Sequence, residues 1–152
     1  MLNRFFRLIV ITAFSLLVSA AALAGDFFET DGVALHGYDP VAYFVAAEPQ
    51  KGQAQYSYEY KGSKFYFANE ANKRAFVQAP EKYAPQFGGY CAYGTSQGYK
   101  VSTQPDAFAI VKDKLYLNYN TKVQEIWKQD VPGNIERAEK NWPEVSKAPQ
   151  KD

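Results

Sequence analysis

The sequence has a single cysteine, Cys91, and a single histidine, His36. One cysteine excludes any internal disulfide. A structural zinc site takes four Cys or His ligands, and this chain offers two at most. Neither sign of charge dominates, since 17 Lys and Arg stand against 16 Asp and Glu. No basic run is present to hold phosphates, which excludes a nucleic-acid partner. Apolar runs are short, and none reaches the roughly 20 residues that cross a bilayer. Aromatic side chains are what the sequence has in excess: 12 Tyr, 11 Phe and 2 Trp in 152 residues. With 47% hydrophobic and 22% charged residues, the composition is that of one ordinary globular domain.

Residues 1–24 stand apart. Arg4 and Arg7 open them, Leu8 to Val18 is apolar except at Thr12 and Ser15, and Ala22-Leu23-Ala24 places small residues where a signal peptidase reads. The segment reads as a cleaved secretory signal, which implies a periplasmic or secreted product with no stable membrane anchor. No cysteine stands at the cleavage point to carry a lipid. Removing the segment takes two arginines and no acid, leaving 15 basic and 16 acidic side chains on the mature chain.

Residues 25–32 read as a loosely held lead-in. Asp39-Pro40 is a helix-start signal for a short helix from Pro40 to about Ala46. From Ala54 the period becomes two, with Tyr56, Tyr58 and Tyr60, a turn at Lys61-Gly62-Ser63, and Phe65-Tyr66-Phe67, which predicts a β-hairpin. Asn69 caps a helix over Glu70 to Gln78 whose apolar stripe is Ala71, Ala75 and Phe76. A second hairpin is expected over Ala107–Val111 and Leu115–Tyr119. Asn120 then caps a helix facing inward with Val123, Ile126 and Trp127, and a last helix from Pro132 carries Ile135, Ala138 and Trp142. Residues 144–152 read as a frayed tail. Two hairpins, each followed by a helix, echo one another, although few residues coincide. The fold class is α+β: a small single domain, over 33–143, of two hairpins with short helices packed around them.

Several stretches resemble the YHS-domain proteins, in particular their small exported bacterial form. They are Leu35-His36-Gly37-Tyr38-Asp39-Pro40-Val41-Ala42-Tyr43-Phe44, the Tyr60 to Phe67 hairpin, Phe76 through Pro85, Gly88-Gly89-Tyr90-Cys91-Ala92-Tyr93-Gly94, and the Leu115–Tyr119 strand. The resemblance implies a compact hairpin-and-helix module and metal handling, since such domains occur beside metal-transport ATPases and in metal-dependent hydroxylases. The chain departs from the metal-handling members in having one cysteine and no cysteine pair.

Three readings follow for the chemistry. In the first, His36 and Cys91 converge with Asp39 on a transition-metal ion, copper or zinc, because thiolate and imidazole are ligands those metals favour. Tyr38, Tyr43, Tyr90 and Tyr93 crowd the same motifs and would line a pocket for a small ligand or support the metal. In the second, the domain is a metal-free structural or protein-interaction module, with these residues in a hydrogen-bonded core. In the third, Cys91 is a nucleophile activated by His36 and oriented through Asp39, which would make the protein an enzyme; the non-enzymatic readings are preferred.

Overall fold

The computed structural model describes residues 26–151; the expected signal segment lies outside them. Among the described residues no helix is long and apolar enough to cross a membrane. The α+β class holds: two sheets and six α-helices are formed among the described residues.

The first sheet is built from β1 (Glu29–Thr30), β2 (Val33–Ala34), β3 (Gln53–Tyr60) and β4 (Ser63–Phe67), in the order β1-β2-β4-β3. Lys61 and Gly62, at φ 49° and 76°, make a two-residue turn between β3 and β4. Both left-handed residues match the twist of the strands, so the turn closes one residue sooner than the sequence suggests. On β4, Ser63, Phe65 and Phe67 point inward, and Lys64 points to solvent. Asn69 accepts the Asn72 amide at 2.8 Å and so caps α2 (Glu70–Gln78) as expected. The inward face of α2 is Asn72 and Phe76, with Ala75 half-buried and Ala71 exposed. The helix is rotated from the apolar stripe because Asn72 has a buried partner, described below. Phe76 fills the centre, its ring 5.0 Å from Phe65 and 5.2 Å from Phe67.

The second sheet is the hairpin β5 (Phe108–Val111) and β6 (Lys114–Leu117), turning on Lys112 and Asp113 at φ 48° and 58°. Asn120 caps α5 (Thr121–Lys128) by accepting the Val123 amide at 2.9 Å. The buried face of α5 is Gln124 and Trp127, whereas Ile126 is 45% exposed. Gln124 turns inward because its side-chain amide donates to the Phe108 carbonyl, closing α5 onto β5. Short helices α1 (Ala42–Val45), α3 (Pro80–Tyr83) and α4 (Ala92–Ser96) fill the connections, and α6 (Val131–Val145) packs against α4.

Two boundary expectations are corrected. The lead-in is packed, not loose: Phe27 and Phe28 are buried, and the Phe28 amide donates to the Gly88 carbonyl at 2.8 Å. The tail is pinned: α6 continues through Pro143, two residues from its end, where a missing N–H costs only one bond. Beyond it the Lys151 amide donates to the Lys100 carbonyl at 2.7 Å, and the Lys100 ammonium caps the Ser146 carbonyl at 3.1 Å.

The echo between the halves is a repeat of backbone plan. Leu35-His36-Gly37 and Phe87-Gly88-Gly89 are consecutive left-handed residues, at φ 55°, 54° and 75° and at 52°, 61° and 77°. Each turn is followed by an extended tyrosine, Tyr38 or Tyr90, with a lysine ammonium over its ring, Lys51 at 4.6 Å or Lys100 at 4.5 Å. A short helix, a hairpin with a left-handed turn and an Asn-capped helix then follow in both halves. The turns also touch: a Cβ on Gly89 would lie 2.6 Å from Leu35 Cδ2. Glycine at position 89 is therefore required by both its φ and its neighbour.

Candidate functional site

His36 sits in the first left-handed turn, half-buried against the edge of Phe28. Its Nε2 lies 2.7 Å from the Thr103 carbonyl, which can only accept, so Nε2 carries the proton. In the neutral ring Nδ1 then accepts from the Thr30 hydroxyl at 2.9 Å. Both nitrogens thus have protein partners. Lys51 donates to the His36 carbonyl at 2.6 Å and holds the turn from the other side.

Asp39 is fully buried. Its Oδ1 accepts the Val41 and Ala42 amides at 2.8 and 3.3 Å, and its Oδ2 accepts the Ala68 amide at 2.9 Å and Asn72 Nδ2 at 2.6 Å. Four donors match the lone-pair capacity of an ionised carboxylate, so no site remains for a cation. The side chain opens α1, as the Asp-Pro signal suggests, and also ties α1 to the end of β4 and the start of α2.

Cys91 is buried, with its thiol held above the usual cysteine range chiefly by desolvation, while the amides of Gly94, Tyr119 and Tyr93 pull the other way. Its sulfur accepts the Gly94 amide at 3.3 Å and the Tyr119 amide at 3.2 Å, and faces Asn118 Oδ1 at 3.7 Å. Asn118 is fully buried too; its Oδ1 also accepts the Tyr93 amide at 3.1 Å, and its Nδ2 has no partner among the described residues.

His36, Asp39 and Cys91 therefore occupy three separate hydrogen-bonded settings with no partner in common. Among the described residues no group of three or more His, Cys, Asp or Glu is arranged to hold a metal ion. The donor set does not fit a closed copper or zinc centre, because Asp39 is saturated and His36 has no uncommitted lone pair. The Cys-His-Asp relay of the enzymatic reading is not assembled either, since the neighbour of the thiol is Asn118 and that of His36 Nε2 is a carbonyl.

The four tyrosines divide. Tyr43 is core: its hydroxyl donates to the Pro105 carbonyl at 3.1 Å, and burial, then the charges of Tyr38, Asp106 and Asp39, push its ionisation well above the usual tyrosine range. Tyr90 packs between Phe28 and Trp142. Tyr38 lines an open cavity of about 420 Å³ with His36, Ser102, Gln104 and Tyr119. Tyr93 lines another, of about 280 Å³, with Cys91, Tyr99, Val101, Tyr119 and Val123. Tyr119, 44% exposed, is a wall of both.

A larger cavity, about 630 Å³, lies elsewhere, between the β3–β4 turn and the end of α6. Its lysines are committed: Lys61 pairs with Glu81 at 3.1 Å, Lys147 with Glu144 at 3.2 Å, and Lys100 caps α6. It is the bigger space, but each of its lysines is already paired or capping.

Sequence reasoning missed Thr30, Thr103, Asn118 and Tyr119. A usable signal was present for the last two. Tyr119-Asn120 follows the second hairpin as Ala68-Asn69 follows the first, and aligning the two Asn caps would have placed Tyr119 beside Cys91 as Ala68 is beside Asp39.

Residues 41–87 match the family model described as YHS domain, so the chain carries a YHS domain, a type associated with metals in general. The match covers the first unit up to the second left-handed turn; Tyr43 is the only candidate site residue inside it, with His36 and Asp39 before it and Cys91 after it. No curated protein and no solved structure matches the chain.

Proposed function

We propose that the protein is an exported, non-catalytic binding module that takes a small ligand in the groove around Tyr119. The observation that carries this reading is that Tyr119 walls both the His36–Tyr38 cavity and the Cys91–Tyr93 cavity. One side offers three tyrosine rings, two valines and a thiol, and the other offers Ser102, Gln104 and the Tyr38 hydroxyl. An apolar surface beside a few polar groups suits a small aromatic molecule with a polar end. The secretory signal at residues 1–24 supports export.

The test is chemical-shift titration of the isotope-labelled protein with p-cresol and indole as probes. Saturable shifts at Tyr93, Tyr99, Tyr119 and Val123, lost in Val123→Trp, are expected. Shifts scattered over the surface, or none, contradict the reading. A second reading, metal association, is favoured by the YHS match alone, and would run through Cys91 and His36 only if the Thr30 hydroxyl were displaced. Elemental analysis of untagged protein decides it.

A further inference from the structure

The cavity of about 630 Å³ between the β3–β4 turn and the end of α6 has two charges that its ion pairs leave over. Its charged lining residues are Lys61, Lys100, Lys147, Asp26 and Glu81. Lys61 pairs with Glu81, and Lys147 pairs with Glu144, which is not part of the wall. Lys100 and Asp26 remain, and neither has an ion-pair partner among the described residues. Lys100 is half-buried, its ammonium 4.5 Å from the centre of the Tyr90 ring. Two of its three N–H donors go to the Ser146 and Ala148 carbonyls, at 3.1 and 3.4 Å. Those acceptors are neutral, so the charge is uncompensated, and burial holds this ammonium below the usual lysine range. Gly88 brings the two ends of the site together. A Cβ there would lie 2.5 Å from the Asp26 carbonyl oxygen, 3.4 Å from Tyr90 Cδ2 and 3.5 Å from Trp142 Cη2. The segment carrying Asp26, the ring under the Lys100 ammonium and the edge of the Trp142 indole thus meet at a floor that has no side chain. Phe27 and Phe87, both buried, add apolar wall.

We propose that this cavity binds an amino-acid zwitterion with an aromatic side chain, its carboxylate on Lys100, its ammonium on Asp26 and its ring against Trp142. One cation and one anion of the wall are uncompensated, so the matching ligand carries one charge of each sign. A simple anion would answer Lys100 but face Asp26 as a like charge. A bound carboxylate takes the third N–H of Lys100 as a charge-assisted hydrogen bond and offsets the desolvation of the ammonium. In an α-amino acid the two charges stand on either side of one carbon, as Lys100 and Asp26 stand on either side of the Gly88 floor. The Trp142 indole with Phe27 and Phe87 supplies the apolar wall that an aromatic ring packs against. The site shares no lining residue with the Tyr119 groove, and the inference does not depend on ligand binding there.

The experiment titrates the isotope-labelled protein with L-phenylalanine and follows its amide and indole N–H shifts. Saturable shifts at Gly88, Lys100 and the Trp142 indole, with the Trp127 indole unmoved, are the expected result. Phenylpropionate, which lacks the ammonium, and phenethylamine, which lacks the carboxylate, should each bind at least about tenfold more weakly, through loss of one charge-assisted contact. Lys100 also holds the end of α6, so the deciding variant is Asp26→Asn, at an exposed residue. It should weaken phenylalanine by about the same factor and leave phenylpropionate no weaker than before. The absence of saturable shifts at Gly88, Lys100 and Trp142 overturns the proposal. So does either analogue binding as tightly as phenylalanine, or an unchanged phenylalanine affinity in Asp26→Asn. Saturable shifts confined to Tyr93, Tyr99, Tyr119 and Val123 would support the groove and overturn this site, so the two readings fail separately.

Discussion

Replacing Asp39 by Asn tests the most connected side chain in the molecule. The amide introduced at position 39 keeps one oxygen for the Val41 and Ala42 amides, but turns an N–H toward the Ala68 amide and Asn72 Nδ2. Two buried donors then face a donor, and each costs about 1–3 kcal/mol when left without an acceptor. Relief of the buried charge returns part of this, so a net loss of about 2–4 kcal/mol is expected. Urea unfolding followed by tryptophan fluorescence should show a lower midpoint with an unchanged slope. Adding Asn72→Asp restores an acceptor at that point, so the double variant should be more stable than the sum of the single changes by about 1–2 kcal/mol. Asp39→Asn within about 0.5 kcal/mol of wild type would refute the assignment of Asp39 as the joint between α1, β4 and α2.

Gly89→Ala should destabilise by about 2 kcal/mol or more, because it combines φ 77° with a Cβ 2.6 Å from Leu35 Cδ2; thermal melting checks it, and an unchanged Tm would mean the two turns separate easily. The pH dependence of stability has a defined sign at Cys91. Its folded-state thiol is held above the free-thiol range by burial, so below about pH 8.5 both states keep the proton and the contribution is full. Above that the unfolded chain releases its proton first, and stability falls with a slope of up to about 1.4 kcal/mol per pH unit until the folded thiol also ionises. Urea midpoints from pH 7 to 10 should show this fall, and Cys91→Ala should remove that component; identical pH profiles would contradict it.

The fold was legible where local signals act alone. Asn69, Asn120 and the alternating tyrosines act within a few residues of themselves, and their elements formed where expected. What escaped was set by contacts between distant segments. Asn72 and Gln124 turn inward because Asp39 and the Phe108 carbonyl await them, and no hydrophobic pattern shows a buried amide with a partner 33 residues away. The tail is fixed by Lys100, a lysine that reads as solvent-exposed until the end of α6 is placed over it. His36, Asp39 and Cys91 stand out in the sequence by residue type alone. Spacing could not reveal that each is consumed by hydrogen bonds to distant partners, Ala68 and Asn72 for Asp39 and Tyr119 for Cys91, nor that His36 is held by two threonines from either side of it in the chain.

His36 and Cys91 are committed to hydrogen bonds and not to a shared ion. Metal content per chain, measured on protein purified without an affinity tag, addresses this directly for wild type, His36→Ala and Cys91→Ser. The same small, non-stoichiometric content in all three is predicted. One equivalent of copper or zinc in the wild type, lost in either variant while the fold persists, would contradict it.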